Sequence, residues 1–440
     1  MSSERTRKIL ALAIPIIGGM VSQNVLNLVD TFMVGRLGNA ALAAVGLGGF
    51  ANFMAQALIL GISTGVQATA SRRKGEGKLE RTAVSLNAGI LLVLVVAPLL
   101  SAVLYMAVPY LYPYLNNDPE VIAHGAPYLR IRVLAIVFVG INYAFRGYWN
   151  GINQAWYYMG TLILMHSANI FLNYVLIFGH FGAPAMGTTG AALATSLSTG
   201  IGTMIYLLLG LTRARRAGFL RIRPNREEFR NLIRLSIPNG IQQLFFAAGF
   251  TMLFWIIGRV GQMELAAANV LINVTLVAIL PGIGLGLSSA TLVGQALGRG
   301  DSEDAKRWAW DVVKLGMMGL GILGLPMWVL PDLVLSIFIT DAATVEIARL
   351  PMRIVGLTMA GEAVGLILMN SLLGAGDSKS VMWVSIGSQW LLFLPLAYYI
   401  GPVSGFGLLG IYILQGGYRA MQSIIFATLW VRGRWSTIKL

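Results

Sequence analysis

Two carboxyl groups stand where carboxyl groups are hardest to keep. Of the eighteen acidic residues, only Asp30 and Glu362 fall deep inside long apolar segments. A charge at such a depth in a bilayer is unfavourable by at least ~2.5–3.5 kcal/mol on insertion scales, so acids there tend to be functional or paired. Asp30 follows Gln23 and Asn27 at i, i+4 and i+7, which places the three on one side of a helix. His166, Asn169 and Asn173 show the same three-to-four-residue spacing on a later apolar segment, and Thr195 and Ser196 lie on the next. At ~1.5 Å per residue, Asp30, Asn173 and Thr195 come to a common depth of about 10–12 Å below the outer ends of their helices. One carboxyl among amide and hydroxyl groups is the chemistry of a proton or small-cation site. Low dielectric disfavours the charged carboxylate, so such a group takes up a proton or exchanges it for Na⁺ or a cationic substrate. Each amide or hydroxyl alone could equally serve as glue between helices.

The segments that carry these groups are membrane spans. Apolar residues make up 56% of the 440-residue chain and charged residues 11%, whereas soluble domains carry roughly 25% charged residues. Runs such as 83–115, 161–178 and 191–211 reach the ~20 residues that a helix needs to cross the hydrocarbon core. The expected spans are 9–35, 41–70, 83–112, 121–149, 157–180, 188–211, 230–258, 264–298, 308–338, 345–373, 380–400 and 407–431.

Those twelve spans are six, repeated. Ala126-Pro127-Tyr128-Leu129-Arg130-Ile131 reappears as Arg349-Leu350-Pro351-Met352-Arg353-Ile354, and Val34-Gly35-Arg36-Leu37-Gly38 as Ile257-Gly258-Arg259-Val260-Gly261, both at one and the same offset. That offset also pairs Pro15 with Pro238, Asp118 with Asp341 and Gly151 with Gly374. The expected fold is therefore all-α and integral to the membrane, with two pseudo-symmetric six-helix bundles. An even number of spans per half makes the repeat parallel, with its pseudo-axis along the membrane normal. The expected lobes are 1–212 and 230–440, joined by a basic linker at 213–229. Neither acid is repeated: Asp30 falls opposite Leu253 and Glu362 opposite Val139. Architecture alone favours keeping both copies, so this asymmetry favours function.

The net charge of +14 resides in alternate loops. Arg5, Arg7 and Lys8 precede the first span, Arg72 to Arg81 join the second and third, Arg213 to Arg226 join the halves, and Arg432, Arg434 and Lys439 close the chain. The opposite loops hold little beyond Arg36 and Arg259. This asymmetry predicts cytoplasmic termini in a multi-pass protein of the cell (inner or plasma) membrane, and does not call for nucleic acid. The linker is expected to meet anionic headgroups. Pro15 removes a helix hydrogen bond and permits a bend in the first span, where it serves either as a hinge or as a shared structural kink with Pro238. Pro281-Gly282-Ile283-Gly284 marks a second weak point in the eighth span.

Chemistry motifs are missing. There is no cysteine, no GxxxxGK[ST] phosphate loop, no HExxH and no GxSxG, which removes support for ATP-driven transport and for most membrane enzymes. Two separated carboxyls do not form a catalytic cluster. A secondary transporter without cofactor remains, its site between helices near the bilayer midplane.

Several stretches resemble the multidrug and toxic compound extrusion (MATE) transporters. They are Leu28 to Gly38, Asn169-Ile170-Phe171-Leu172-Asn173-Tyr174, Gly190-Ala191-Ala192-Leu193-Ala194-Thr195, and Gly374-Ala375-Gly376-Asp377-Ser378-Lys379. The resemblance covers essentially the whole chain. It implies a cation-coupled antiporter that exports amphipathic, often cationic drugs against H⁺ or Na⁺, with two bundles around a V-shaped cavity. In some members an acid of the first span works with Gln, Asn and Thr partners, onto which Gln23, Asp30, Asn169, Asn173 and Thr195 fall. Those members often carry a second Asp where this chain has Asn173, and Glu362 matches an acid that others carry in the tenth span. The seventh span has only Phe246-Ala247-Ala248 where others have Glu.

The expectation is thus an efflux transporter with no enzymatic activity and a monomer as its functional unit. Asp30 carries the ion or proton; Gln23, Asn169, Asn173 and Thr195 support it, and Na⁺ would bind at Asp30, Asn169, Asn173 and Thr195. Glu362 forms a second cation or substrate site. Phe245, Phe246, Met252 and Trp390 could stack on drugs, although packing accounts for any one of them alone. A flippase for lipid-linked sugars is the alternative, which a cavity lined with Arg and Lys would favour.

Overall fold

The computed structural model describes residues 2–440 and is helical throughout, with no strand among them. The first half contains α1 (Ser3–Gly35), α2 (Asn39–Gly75), α3 (Val84–Leu115), α4, α5 (Ala155–Phe178) and α6 (Gly187–Ala214). α4 is a broken span of Pro119–Leu134 and Ile136–Gly151, bent by 49°. The second half contains α7 (Arg226–Gly258), α8 (Gln262–Gly298), α9 (Ser302–Val329), α10 (Ala342–Ala375), α11 (Ser378–Val403) and α12 (Gly407–Arg432). Among the described residues ten helices are long and apolar enough to cross a membrane, and α4 makes eleven. α12 spans 26 residues but falls short because Gln415, Arg419 and Gln422 interrupt its apolar stretch. The twelve-helix arrangement agrees with the expected repeat, and the boundaries move outward by several residues at most ends.

The repeat extends to the helix caps. Asp118 begins α4 by accepting the Glu120 backbone N–H at 2.9 Å, and Asp341 begins α10 by accepting that of Thr344 at 2.9 Å. These groups have no partner within their own helix, so a side-chain acceptor at the N-cap satisfies one of them. α4 breaks at Ala135 whereas α10 is one continuous helix. At the break Ser101 of α3 donates to the Val133 carbonyl at 2.7 Å.

The compact units cut across the expected 1–212 and 230–440 lobes. One consists of residues 1–17 with 241–440, the other of 18–240. The chain passes between units at Ile17 and at Gly240, equivalent places in the repeat that each follow closely on its paired proline, Pro15 or Pro238. Close packing explains the exchange. In one unit Gly61 of α2 lies so close to the backbone of Ser236 and Gly240 that no Cβ fits. Thr64 donates there to Asn239 at 3.0 Å. In the other unit Gly284, the counterpart of Gly61, lies against Ile17, and Ile9, Leu12 and Ala13 join a core built from α7 to α12.

The 213–229 segment is docked rather than loose. Phe219 is fully buried and packs at 5.5 Å from Phe145, within a cluster that includes Trp149 and Tyr206. The buried Asn87 amide of α3 donates to the Gly218 and Ile222 carbonyls at 2.9 Å each and accepts from the Leu220 N–H at 3.1 Å. Glu228 receives Arg73 and Arg81 at 2.7 and 2.9 Å. In the other unit Arg5 reaches Asp304 and Asp311 at 2.8 and 2.6 Å and stacks on Trp308.

Candidate functional site

α1 and α5 bring the sequence-predicted polar groups together. Glycines at 18 and 19 let α1 approach Met159, Tyr158 and Leu162 of α5 closely. Along α5 the spacing turns His166, Asn169 and Asn173 inward, and all three are buried. Asn173 donates its amide N–H to Asp30 Oδ1 at 2.6 Å and to Asn169 Oδ1 at 2.9 Å. Asn169 in turn donates to Ser198 Oγ of α6 at 3.1 Å. The short contact to Asp30 suits a charge-assisted bond.

A second branch runs along α1. His166 Nε2 lies 3.1 Å from Gln23 Oε1, Gln23 donates to Asn27 at 3.2 Å, and Ser22 Oγ lies 2.7 Å from His166 Nδ1. With the Gln23 amide N–H committed to Asn27, its oxygen accepts from His166 Nε2, and Nδ1 faces the Ser22 hydroxyl. Gln23 and Asn27 are exposed, whereas Asp30 is half-buried.

Thr195 is placed differently from its expected role. Its hydroxyl donates to the Ala191 carbonyl of its own helix at 2.9 Å, and its carbonyl accepts from Ser198 and Thr199 at 3.0 and 2.6 Å. It reaches the Asp30 group through backbone and Ser198. Ser196 carries a buried hydroxyl without a hydrogen-bond partner among the described residues.

The site also contains a cation that the spacing argument passed over. Arg132, three residues before the bend in α4, interacts electrostatically with Asp30 and with the Tyr128 phenol. Among the described residues its Nε and Nη1 are buried without hydrogen-bond partners, as is Asn173 Oδ1. Buried unsatisfied groups are rare and costly, so this corner of the fold has donors and an acceptor in reserve. An intramembrane Arg beside an intramembrane acid was legible as a pair only from the structure, because Arg132 and Asp30 lie on different helices of the chain.

Glu362 has a partner of its own. It is 9% exposed on α10, and its Oε1 lies 3.5 Å from Arg419 Nε of α12. Gln422 of α12 donates to Ser388 of α11 at 3.0 Å, where α11 widens into π-helical turns over Gly387–Phe393. Such turns recur at functional sites. Of the aromatic candidates, Trp390 donates to the Phe245 carbonyl at 3.1 Å and meets its ring edge-on at 5.5 Å, while Phe246 packs edge-on against Phe250 at 5.0 Å. Met252 remains partly exposed.

Comparison with known proteins gives one consistent likeness. The family model described as MatE matches residues 15–175 and 238–399, two stretches that begin at the paired prolines of the repeat. A Thermotoga maritima protein named a probable multidrug resistance protein NorM is 26% identical over 438 residues, 98% of this chain and 93% of that protein. A Rhizobium meliloti protein of the same name is 30% identical over 415 residues, 92% and 89% of the two chains. Among solved structures, one described as the outward-facing conformation of a multidrug resistance MATE family transporter superposes with a TM-score of 0.89 at 20% identity, covering 99% of this chain and 97% of its own.

Proposed function

We propose that the chain, which belongs to the MatE family of membrane transporters along both halves of its repeat, is a secondary active multidrug exporter coupled to H⁺ or Na⁺. It is a transporter and not an enzyme. Its cargo is amphipathic and cationic molecules, in keeping with the names of its relatives. It works as a monomer in the cell membrane with both termini cytoplasmic, as the alternation of its basic loops favours.

The observation that carries this reading is the bond from the buried Asn173 amide to Asp30. As drawn, Asn173 turns its N–H donor to a carboxylate, while its own Oδ1 has no partner among the described residues. Protonation of Asp30 replaces an acceptor with an O–H donor, and Na⁺ likewise demands an oxygen lone pair. Either event favours turning the Asn173 amide over, so that Oδ1 faces Asp30. The turn breaks the bond to Asn169 Oδ1 and so uncouples Asp30 from the Asn169–Ser198 link to α6. Loading of Asp30 thereby changes how α1, α5 and α6 are tied together, and Pro15 gives α1 a place to bend. The exposed Gln23 and Asn27 lie along the route by which an ion would approach.

A second reading, lipid-precursor flipping, has one observation in its favour. Arg132, Arg146 and Arg419 lie within spans, but each has an acid, hydroxyl or phenol beside it, which is not a row of free cations. Efflux of a fluorescent cationic dye from proteoliposomes with H⁺ and Na⁺ gradients imposed separately tests the proposal. Coupled efflux that Asp30→Asn removes supports it, and a folded protein that binds dye yet moves none under either gradient sinks it.

A further inference from the structure

One helix face in the C-terminal unit holds more unpaired polar atoms than packing explains. Tyr412, Gln415 and Arg419 stand at i, i+3 and i+7 on α12, within one arc of that helix. Tyr412 Oη, Gln415 Oε1 and Arg419 Nε are all buried, and none has a hydrogen-bond partner among the described residues. Each such atom forfeits its hydration and gains nothing in exchange.

The Arg419–Glu362 pair shares this incompleteness. At 3.5 Å it is an ion pair without a hydrogen bond. Among the described residues the guanidinium's other bond runs from Nη1 to Gln422 Oε1, also at 3.5 Å. A guanidinium has five N–H donors in a rigid fork that matches a carboxylate with two parallel bonds. Glu362 does not use that match. Arg419 keeps 19% of its side-chain surface exposed while Glu362 is buried at 9%, so the guanidinium is the member a ligand meets first. The Tyr418 ring lies 5.4 Å from the guanidinium and stacks on Phe393 at 4.8 Å, which provides an aromatic wall beside the charges.

We propose that Arg419 and Glu362 form a zwitterion-binding subsite. The carboxylate of a substrate docks on the spare Arg419 donors, its cationic group turns to Glu362, and the Gln415 and Tyr412 oxygens take up its polar hydrogens. The ligand class is an amphiphile that carries both charges, and not a cation alone. This rests on the efflux reading above and narrows its substrate class: a lone cation at Glu362 must compete with Arg419, whereas a zwitterion satisfies both members at once.

The test uses one dye in two forms. Rhodamine B carries a carboxylate and a cationic ring; its ethyl ester carries the cation alone. Binding of each to the full-length purified protein is followed by fluorescence anisotropy. Arg419→Gln is expected to weaken rhodamine B about 10–100-fold, the worth of a charge-assisted bond, while the ester, freed from competition with Arg419 for Glu362, binds as tightly as before or more tightly. Arg419→Lys, which keeps the charge and loses the fork, recovers part of the loss for rhodamine B. Glu362→Gln weakens the ester more than it weakens rhodamine B. Equal losses for both dyes in Arg419→Gln, or no loss for either, would overturn the proposal, and so would an Arg419→Lys protein that no longer distinguishes the dyes. Proteoliposome transport separates this from the broader reading. Selective binding without gradient-driven movement leaves the subsite standing and removes the efflux function, whereas efflux with no dye selectivity does the reverse.

Discussion

Arg5 and Glu228 occupy equivalent places in the two repeats and make the same ion pair with its signs exchanged. Arg5 meets Asp304 at 2.8 Å, and Glu228 meets Arg81, the counterpart of Asp304, at 2.9 Å. The contact has been kept while both of its residues changed. Arg5→Glu sets a third carboxylate beside Asp304 and Asp311 and should lower the thermal unfolding midpoint of the detergent-solubilised protein. Adding Asp304→Arg should restore only part of it, because that carboxylate also serves Arg299 and Trp308. Full loss with no recovery would deny that the pair acts as a unit.

Gly151 and Gly374 give a packing counterpart. A Cβ on the first would enter the Gln67 carbonyl, and on the second the Ala290 carbonyl, its equivalent in the other repeat. Overpacking of this kind costs about 1–3 kcal/mol. Gly151→Ala and Gly374→Ala should therefore each destabilise, by similar amounts, in the same unfolding assay. A neutral result in one half would show that its helices can separate where the others cannot.

Arg132 should set the pH at which Asp30 loads. A nearby cation favours the charged carboxylate. Arg132→Gln removes that cation, and the pH profile of dye efflux should differ from that of the parent protein. An unmoved profile would mean that the guanidinium does not act on Asp30.

Asn173→Asp tests the switch from the other side. Two carboxylates at hydrogen-bond distance cannot both ionise freely, so the pair should bind its first proton at higher pH than Asp30 does alone. Efflux measured against pH should shift upward, with a stronger Na⁺ dependence, since a second anionic oxygen suits a metal cation.

Asn87→Ala should loosen the 213–229 segment. It leaves the Gly218 and Ile222 carbonyls and the Leu220 N–H without their buried partner, a loss of about 1–3 kcal/mol. Limited proteolysis should then cut at the arginines between 213 and 226 faster than in the parent protein.

The sequence revealed whatever repeats or recurs at helical spacing. The constant offset of the repeat paired Asp118 with Asp341, which the structure makes equivalent helix caps, and the spacing of Gln23, Asn27 and Asp30 predicted one face of α1. Spacing defines a face and not a rotamer, however, so it could not show that the Thr195 hydroxyl turns back to Ala191. Arg132 and Arg419 were missed because a single cation in an apolar run has no pattern. Their acids, Asp30 and Glu362, lie on other helices far away in the chain, and only folding brings them together. Docking of the linker left one trace, the apolar pair Phe219-Leu220 amid arginines. The exchange at Ile17 and Gly240 left none, since it depends on which helix each glycine happens to face.

That exchange bears on ancestry. Because residues 1–17 pack with the second half and residues 226–240 with the first, neither repeat is complete on its own. A six-helix forerunner would have been an obligate dimer, each copy giving its leading arm to the other, as in domain-swapped pairs. Within one chain that exchange is intramolecular and independent of concentration, and it joins two halves free to differ, as they do at Asp30 and Glu362.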